Sequence, residues 1–144
     1  MPEKLKVTVV GSGYVGMSLG VLLAQHNDVT VLDIDPNRVD QVNRRESTVT
    51  DADIEAFLKE RELSLTATLD KQDAYAGANF VVVATSTNYD PDTNQFDTSS
   101  VDTVVDEALA FASGALMVIK STVPVGHTRS LQELHNTNRV IFSP

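Results

Sequence analysis

Cysteine is absent from these 144 residues, and that gap removes three kinds of chemistry at once: a disulfide framework, a thiolate metal site and a cysteine nucleophile. Basic side chains are scarce, 11 Lys and Arg against 20 Asp and Glu, which leaves a net charge of −9 and a pI near 4.6. Nucleic acid and anionic membranes both select basic surfaces, so neither is expected as a partner. No apolar run approaches the roughly 18 residues of a membrane span, and Met1-Pro2-Glu3-Lys4-Leu5-Lys6 leads into the chain without an apolar signal region. A cytoplasmic location is therefore expected. Repeats, linkers and low-complexity tracts are also missing, and the length suits one domain that buries roughly 70% of its unfolded surface.

What is present begins with Val7-Thr8-Val9-Val10-Gly11-Ser12-Gly13-Tyr14-Val15-Gly16, a β-branched run that breaks into a glycine fingerprint. Gly11 lets the chain turn off the strand, Gly13 lets backbone N–H groups approach a pyrophosphate, and Gly16 lets the following helix pack closely on the sheet. An acid follows at Asp33, at the end of a second apolar run. A carboxylate there can accept hydrogen bonds from the ribose hydroxyls of a dinucleotide and would repel a 2′-phosphate, which favours NAD over NADP. Arg38, five residues beyond the acid, is placed to stack on adenine, to pair with a phosphate, or simply to face solvent.

Val/Ile-rich runs alternate with helical patterns along the chain, the mark of parallel strands covered by helices on both faces. The expected fold is a Rossmann-type, doubly wound parallel sheet of about six strands in three α/β/α layers, occupying residues 1–144. Strands are expected at Lys6–Val10, Val29–Ile34, Leu65–Thr68, Phe80–Ala84, Leu116–Lys120 and Val140–Phe142, in the order 3-2-1-4-5-6 with right-handed crossovers. Helices are expected at Tyr14–Gln25, Asn37–Arg44, Asp53–Arg61, Ser100–Ala112 and Gly126–Leu134, with Asp35-Pro36, Asp51 and Thr98-Ser99 as start signals. The helix from Asp53 is an extra piece between the second and third strands. Asn88 to Asp97 is polar and turn-rich and reads as an exposed loop past the carboxyl end of the fourth strand. Open α/β sheets hold their ligands at that edge, so a cover over the cofactor and a solvated connector both remain open.

Two hydroxyl-rich segments follow buried strands: Ala84-Thr85-Ser86-Thr87-Asn88-Tyr89, and Lys120-Ser121-Thr122-Val123-Pro124-Val125-Gly126. Such hydroxyls either line a cofactor cleft, with Thr85 and Thr87 foremost, or satisfy backbone groups where a strand ends. His26, His127 and His135 read as ordinary solvated or capping histidines. Asp90, Asp92 and Asp97 lack the EF-hand spacing and read as solvated turn residues, so no metal site is expected.

Taken with Asp33-Ile34-Asp35-Pro36, Arg38-Val39, Phe96-Asp97-Thr98 and Phe142-Ser143-Pro144, these segments resemble the nucleotide-sugar 6-dehydrogenases over the whole chain and in family order. Lys120 to Gly126 is far more specific than the fingerprint. A nucleotide-sensing module of the kind that gates potassium channels shares the fold and fingerprint but has no such segment. Ser86 departs from the family, which usually has proline between the two threonines; the turn should be slightly looser with both hydroxyls kept. The resemblance implies an oxidoreductase that converts the C6 alcohol of a sugar nucleotide to a carboxylate in two NAD-dependent steps, through a covalent intermediate on a cysteine. It implies that the backbones of Tyr14 and Val15 touch the pyrophosphate, Asp33 the ribose, Arg38 the adenine end and Thr87 the nicotinamide side. Thr122 is the catalytic candidate, since the matching threonine helps hold a water and a catalytic acid. Thr87-Asn88-Tyr89 and Phe96-Asp97-Thr98 favour UDP-glucose as substrate over GDP-mannose or an N-acetyl amino sugar.

Family members continue through a central helix, which forms a homodimer, into a second domain that holds the sugar nucleotide and the cysteine. With no thiol in this chain, a cofactor half that is inactive by itself is expected. An uncovered edge strand at Val140–Phe142 should then give a weak tendency to self-associate in place of the family dimer.

Overall fold

The computed structural model describes residues 4–112 and 114–143; Met1 to Glu3 of the N-terminal segment and Pro144 of the final Ser-Pro lie outside the described residues. In chain order the elements are β1 (Lys6–Val10), α1 (Tyr14–Leu23), β2 (Asp28–Leu32), α2 (Pro36–Asn43), α3 (Ala52–Glu60), β3 (Leu65–Thr68) and α4 (Lys71–Tyr75). They continue as β4 (Phe80–Val83), β5 (Asn88–Asp90), β6 (Gln95–Asp97), α5 (Ser99–Phe111), β7 (Leu116–Ile119), α6 (His127–Leu134) and β8 (Val140–Phe142). Six strands form one parallel sheet in the order β3-β2-β1-β4-β7-β8, the arrangement expected from the alternating pattern.

The strands are short apolar runs because both faces of the sheet are covered. Val7, Val9, Val29, Val31 and Val82 pack with Met17, Val21, Val42, Ile54 and Leu58 from α1, α2 and α3. Val10, Val81, Val83, Met117 and Ile119 point the other way, against Tyr75, Val101, Val105 and Leu131 from α4, α5 and α6. Each such side chain removed from water contributes roughly 1.5–3 kcal/mol, which sets the register of every strand, since a one-residue slip would turn it inside out. Thr8 is the buried polar exception on β1, and its hydroxyl donates to the carbonyl of Ala74 on α4.

Three helices start on aspartate caps. Asp35 accepts from the Asn37 N–H at 2.9 Å, Asp51 from Asp53 and Ile54 at 3.0 Å, and Asp70 from Gln72 at 2.9 Å and Asp73 at 3.3 Å. Each is worth about 1 kcal/mol. Thr98 stands at the cap position of α5 without a side-chain bond to the helix N–H groups. Its neighbour Asp97 supplies that bond instead, accepting from the Ser99 N–H at 3.0 Å and the Ser99 hydroxyl at 2.6 Å.

The structure corrects the sequence reading in two places. Asn88 to Asp97 is an exposed antiparallel hairpin rather than a loop, with β5 on β6 and Tyr89 against Phe96 at 5.0 Å between ring centroids. Its strands are three residues each and mostly polar, so period-two alternation never develops. The helix α4, five residues long, was not expected at all, being too short to show a helical period.

Candidate active site and cofactor cleft

The chain runs from β1 outward to β3 and then returns to the far side of β1 as β4, so the strand order reverses between β1 and β4. A crevice forms at the carboxyl ends of strands wherever that happens. Here it is a cleft of about 610 Å³ whose walls include Gly11, Ser12, Gly13, Asp33, Arg38, Ala84, Thr85 and Ser100.

Sterics fix the fingerprint. Gly11 has φ +104°, and a Cβ there would meet the Ala84 carbonyl oxygen at 2.5 Å. At Gly16 a Cβ would sit 1.9 Å from the Gly11 carbonyl oxygen, so β1, its turn and α1 close on one another only with glycine. Gly13, by contrast, opens onto free space and precedes a helix with neither a side-chain cap nor an acid in its first turn. The first N–H groups of α1 are thus left to a ligand, in a field that favours an anion. Asp33 stands beside them: Oδ2 accepts from the Ser12 N–H at 3.0 Å and the Ser12 hydroxyl at 2.6 Å, and Oδ1 from the Asp35 N–H at 3.0 Å. Its carboxylate therefore ties the fingerprint turn to the end of β2 while it lines the cleft.

At the ends of β4 and β7 the hydroxyls knit the two strands together. Buried Ser121 donates to the Thr85 carbonyl at 2.6 Å, Ser100 donates to Thr85 Oγ1 at 3.2 Å and to the Ser86 carbonyl at 2.9 Å, and Thr87 donates to the Thr122 carbonyl at 2.7 Å. The structure thus brings Thr87 and Thr122 together at the rim, with Thr122 exposed. Neither of them, nor Tyr14 or Val15, belongs to the cleft wall that holds Gly11, Gly13, Asp33, Arg38 and Thr85. The Tyr14 hydroxyl instead reaches away to the Thr50 carbonyl at 3.1 Å.

The sequence model of the UDP-glucose/GDP-mannose dehydrogenase family, NAD binding domain, matches residues 5–141. The chain belongs to that family. A UDP-glucose 6-dehydrogenase of Streptococcus pneumoniae is 46% identical over 97% of the chain and 36% of its own length. A UDP-glucose 6-dehydrogenase of Campylobacter jejuni is 37% identical over the same shares. Among solved structures, the UDP-D-ManNAc dehydrogenase of Pyrococcus horikoshii superposes with a TM-score of 0.81 at 26% identity, covering 96% of this chain and 34% of that one. A lactate dehydrogenase of Cryptosporidium parvum, at 17% identity and a TM-score of 0.70 over 99% of this chain and 45% of its own, shares the fold. The chain spans about a third of the length of the curated relatives it matches.

Within this UDP-glucose/GDP-mannose dehydrogenase domain, two features escaped the sequence reading. The cleft continues past the fingerprint to Leu69, Lys71 and Tyr75 below β3 and to Thr103, Val104 and Glu107 on α5. No motif marks them, although Asp70 with Asp73 three residues on is a helix-start signal. The second feature is a pair of contacts between α5 and α6. His127 Nε2 lies 2.6 Å from Asp102 Oδ1, and Asp102 Oδ2 accepts from the Thr98 hydroxyl at 3.1 Å. His135 Nε2 lies 2.9 Å from Asp106 Oδ1 without hydrogen-bond geometry. Both histidines are largely shielded, 18% and 19% exposed; His127 takes an interhelix role, while His135 stands at the C-cap of α6, a capping position as expected, with its ring against α5. Asp90 accepts from the Asp92 N–H at 2.9 Å, the turn role expected of it. Hydrogen bonds from the Ser99 hydroxyl and N–H hold the exposed Asp97 carboxyl below its ordinary range. Among the described residues no group of three His, Cys, Asp or Glu could hold a metal ion, and no helix is long and apolar enough to cross a membrane.

Proposed function

We propose that this chain is the cofactor half of an enzyme that oxidises UDP-glucose to UDP-glucuronate in two NAD-dependent steps. The observation that carries the cofactor assignment is the uncapped start of α1 beside the Asp33 carboxylate, in one cleft at the switch point of the sheet. Identity of 46% and 37% to two UDP-glucose 6-dehydrogenases supports the substrate. When bound, NAD supplies the hydride acceptor for the sugar's C6 carbon. The residues of this chain do the holding. Gly11 and Gly13 let the backbone close on the pyrophosphate, and the N–H groups of Tyr14 and Val15 donate to it. Asp33 accepts from the ribose hydroxyls, Arg38 covers the adenine side, and Thr85 and Thr87 flank the nicotinamide. Thr122 stands at the rim where the sugar arrives and orients water at the reacting carbon. With no cysteine in its sequence the chain forms no thioester by itself and is inactive alone.

Calorimetric titration with NAD and with NADP tests the cofactor assignment. Saturable NAD binding, at least tenfold weaker in Asp33→Ala and weaker for NADP in the unaltered chain, is expected. A folded chain that binds neither dinucleotide overturns it. A UDP-N-acetyl amino sugar is the second reading of the substrate, since a UDP-N-acetyl-D-mannosamine dehydrogenase of Methanococcus maripaludis is 29% identical over 91% of the chain. Assaying the whole enzyme against both sugar nucleotides separates the two.

A further inference from the structure

The wall of the cleft beyond Asp33 and Arg38 carries an ionic group that none of the family motifs contains. Lys71 Nζ lies 2.5 Å from Glu107 Oε1, and both residues line the cleft. Tyr75, fully buried, lines the same stretch, and its hydroxyl has no hydrogen-bond partner. Its ring lies parallel to Phe111, 6.4 Å away between centroids. Burial, and then the charge of Glu107, push the phenol well above its ordinary range, so it remains a proton donor. The platform is fixed: Asp70 caps α4, while Lys6 Nζ donates to the carbonyls of Asp73 and Ala76, and Thr8 to that of Ala74. A buried hydroxyl without a partner is uncommon.

At the carboxyl edge of the sheet α1 follows β1, Asp33 follows β2 and Lys71 follows β3, which are neighbouring strands; on the NAD reading of the cleft these places correspond to pyrophosphate, ribose and base. We infer that Glu107, held by Lys71, accepts a hydrogen bond from the exocyclic amino group of the cofactor's adenine, so that this chain reads the base. The inference rests on the NAD reading of the cleft. Lys71 engages Oε1 and leaves Oε2 to accept, and a carboxylate is acceptor-only. A purine with a carbonyl in place of the amino group would set one acceptor against another, and sites that lose such a match discriminate strongly.

The test is calorimetric titration of this chain, and of Glu107→Gln, with NAD and with nicotinamide hypoxanthine dinucleotide, which carries a carbonyl in place of that amino group and a proton on the adjacent ring nitrogen. The chain is expected to favour NAD at least tenfold, about 1.4 kcal/mol. Glu107→Gln, whose amide also donates, should bring the ratio to within about twofold. Equal affinity of the unaltered chain for both dinucleotides, or full discrimination retained in Glu107→Gln, overturns the inference. If NAD binds, depends on Asp33 and is not distinguished from the hypoxanthine analogue, only base reading falls. If neither dinucleotide binds the folded chain, the cofactor assignment falls and base reading with it.

Discussion

A methyl group added at Gly16 would land 1.9 Å from a backbone oxygen, whereas removing the hydroxyl of Ser121, where β4 and β7 end, would cost a hydrogen bond shared between two carbonyls, at 2.6 and 3.3 Å, and create no clash. The β1–α1–β2 end is built by exclusion: a side chain at Gly11 or Gly16 is refused, and one carboxylate, Asp33, collects three donors. At the ends of β4 and β7 the construction is additive, with Ser100, Ser121 and Thr87 each satisfying a carbonyl of a neighbouring segment. Groups at the first end are irreplaceable one by one, while those at the second each satisfy a carbonyl of their own. That difference predicts how each end fails.

Gly16→Ala should be the most damaging change. Backbone has to move to admit the Cβ, so a loss of about 3–5 kcal/mol in chemical denaturation is expected, together with loss of NAD binding. A Gly16→Ala chain of ordinary stability would mean that the closeness of α1 to the turn is not enforced. Next comes Asp33→Ala. Removing the carboxylate strands the N–H groups of Ser12 and Asp35 and the Ser12 hydroxyl, and should lower stability by about 2 kcal/mol besides its effect on affinity. Unchanged denaturation would show that these bonds are replaced by water. Ser121→Ala should cost about 1 kcal/mol, and its loss should add to that of Thr87→Ala, since the two bond to different carbonyls. Strong coupling in the double variant would make the second end as interdependent as the first.

The smallest effect should be Tyr75→Phe, and its sign is the informative part. The hydroxyl has no partner, so its removal should leave the ligand-free chain equally stable or up to about 1 kcal/mol more stable. The folded-state phenol is raised above its ordinary 10. Its contribution to stability is therefore complete below pH 10 and declines as the pH rises further, because the unfolded chain ionises first. Denaturation at pH 9 and pH 11 should show that decline in the unaltered chain and a shallower one in Tyr75→Phe; identical slopes would contradict it.

The same contrast explains what the sequence disclosed. Gly11, Gly13, Gly16 and Asp33 were legible because sterics and a ribose-length spacing leave few alternatives, and the sheet order followed from apolar runs that tolerate no polar face. Boundaries fell within two residues, as at α1 and β2. Lys71, Tyr75 and Glu107 were not legible: they meet only when α4 docks on α5, and α4 has five residues, too few for a period. The α5–α6 contacts were hidden for a similar reason, since Asp102 and His127 lie 25 residues apart and no local rule pairs them. Thr98 marked the start of α5 correctly and stands at its cap position, although its hydroxyl goes to Asp102 and Asp97 supplies the capping bond.

The contact between His127 and Asp102 has a mechanical consequence. The segment that carries Thr122 is stapled at one end by Ser121 to the carbonyls of Val83 and Thr85, and at the other by His127 to α5. Only residues 122–126 span the gap, and the left-handed turn at Gly126, φ +85°, brings the chain straight into α6. So short an arch, anchored at both feet, has little room to swing as a flap. Its ordering cost is met once, during folding, and the exposed threonine on it stands in place before any ligand arrives, which is the condition for a site that binds without first rearranging.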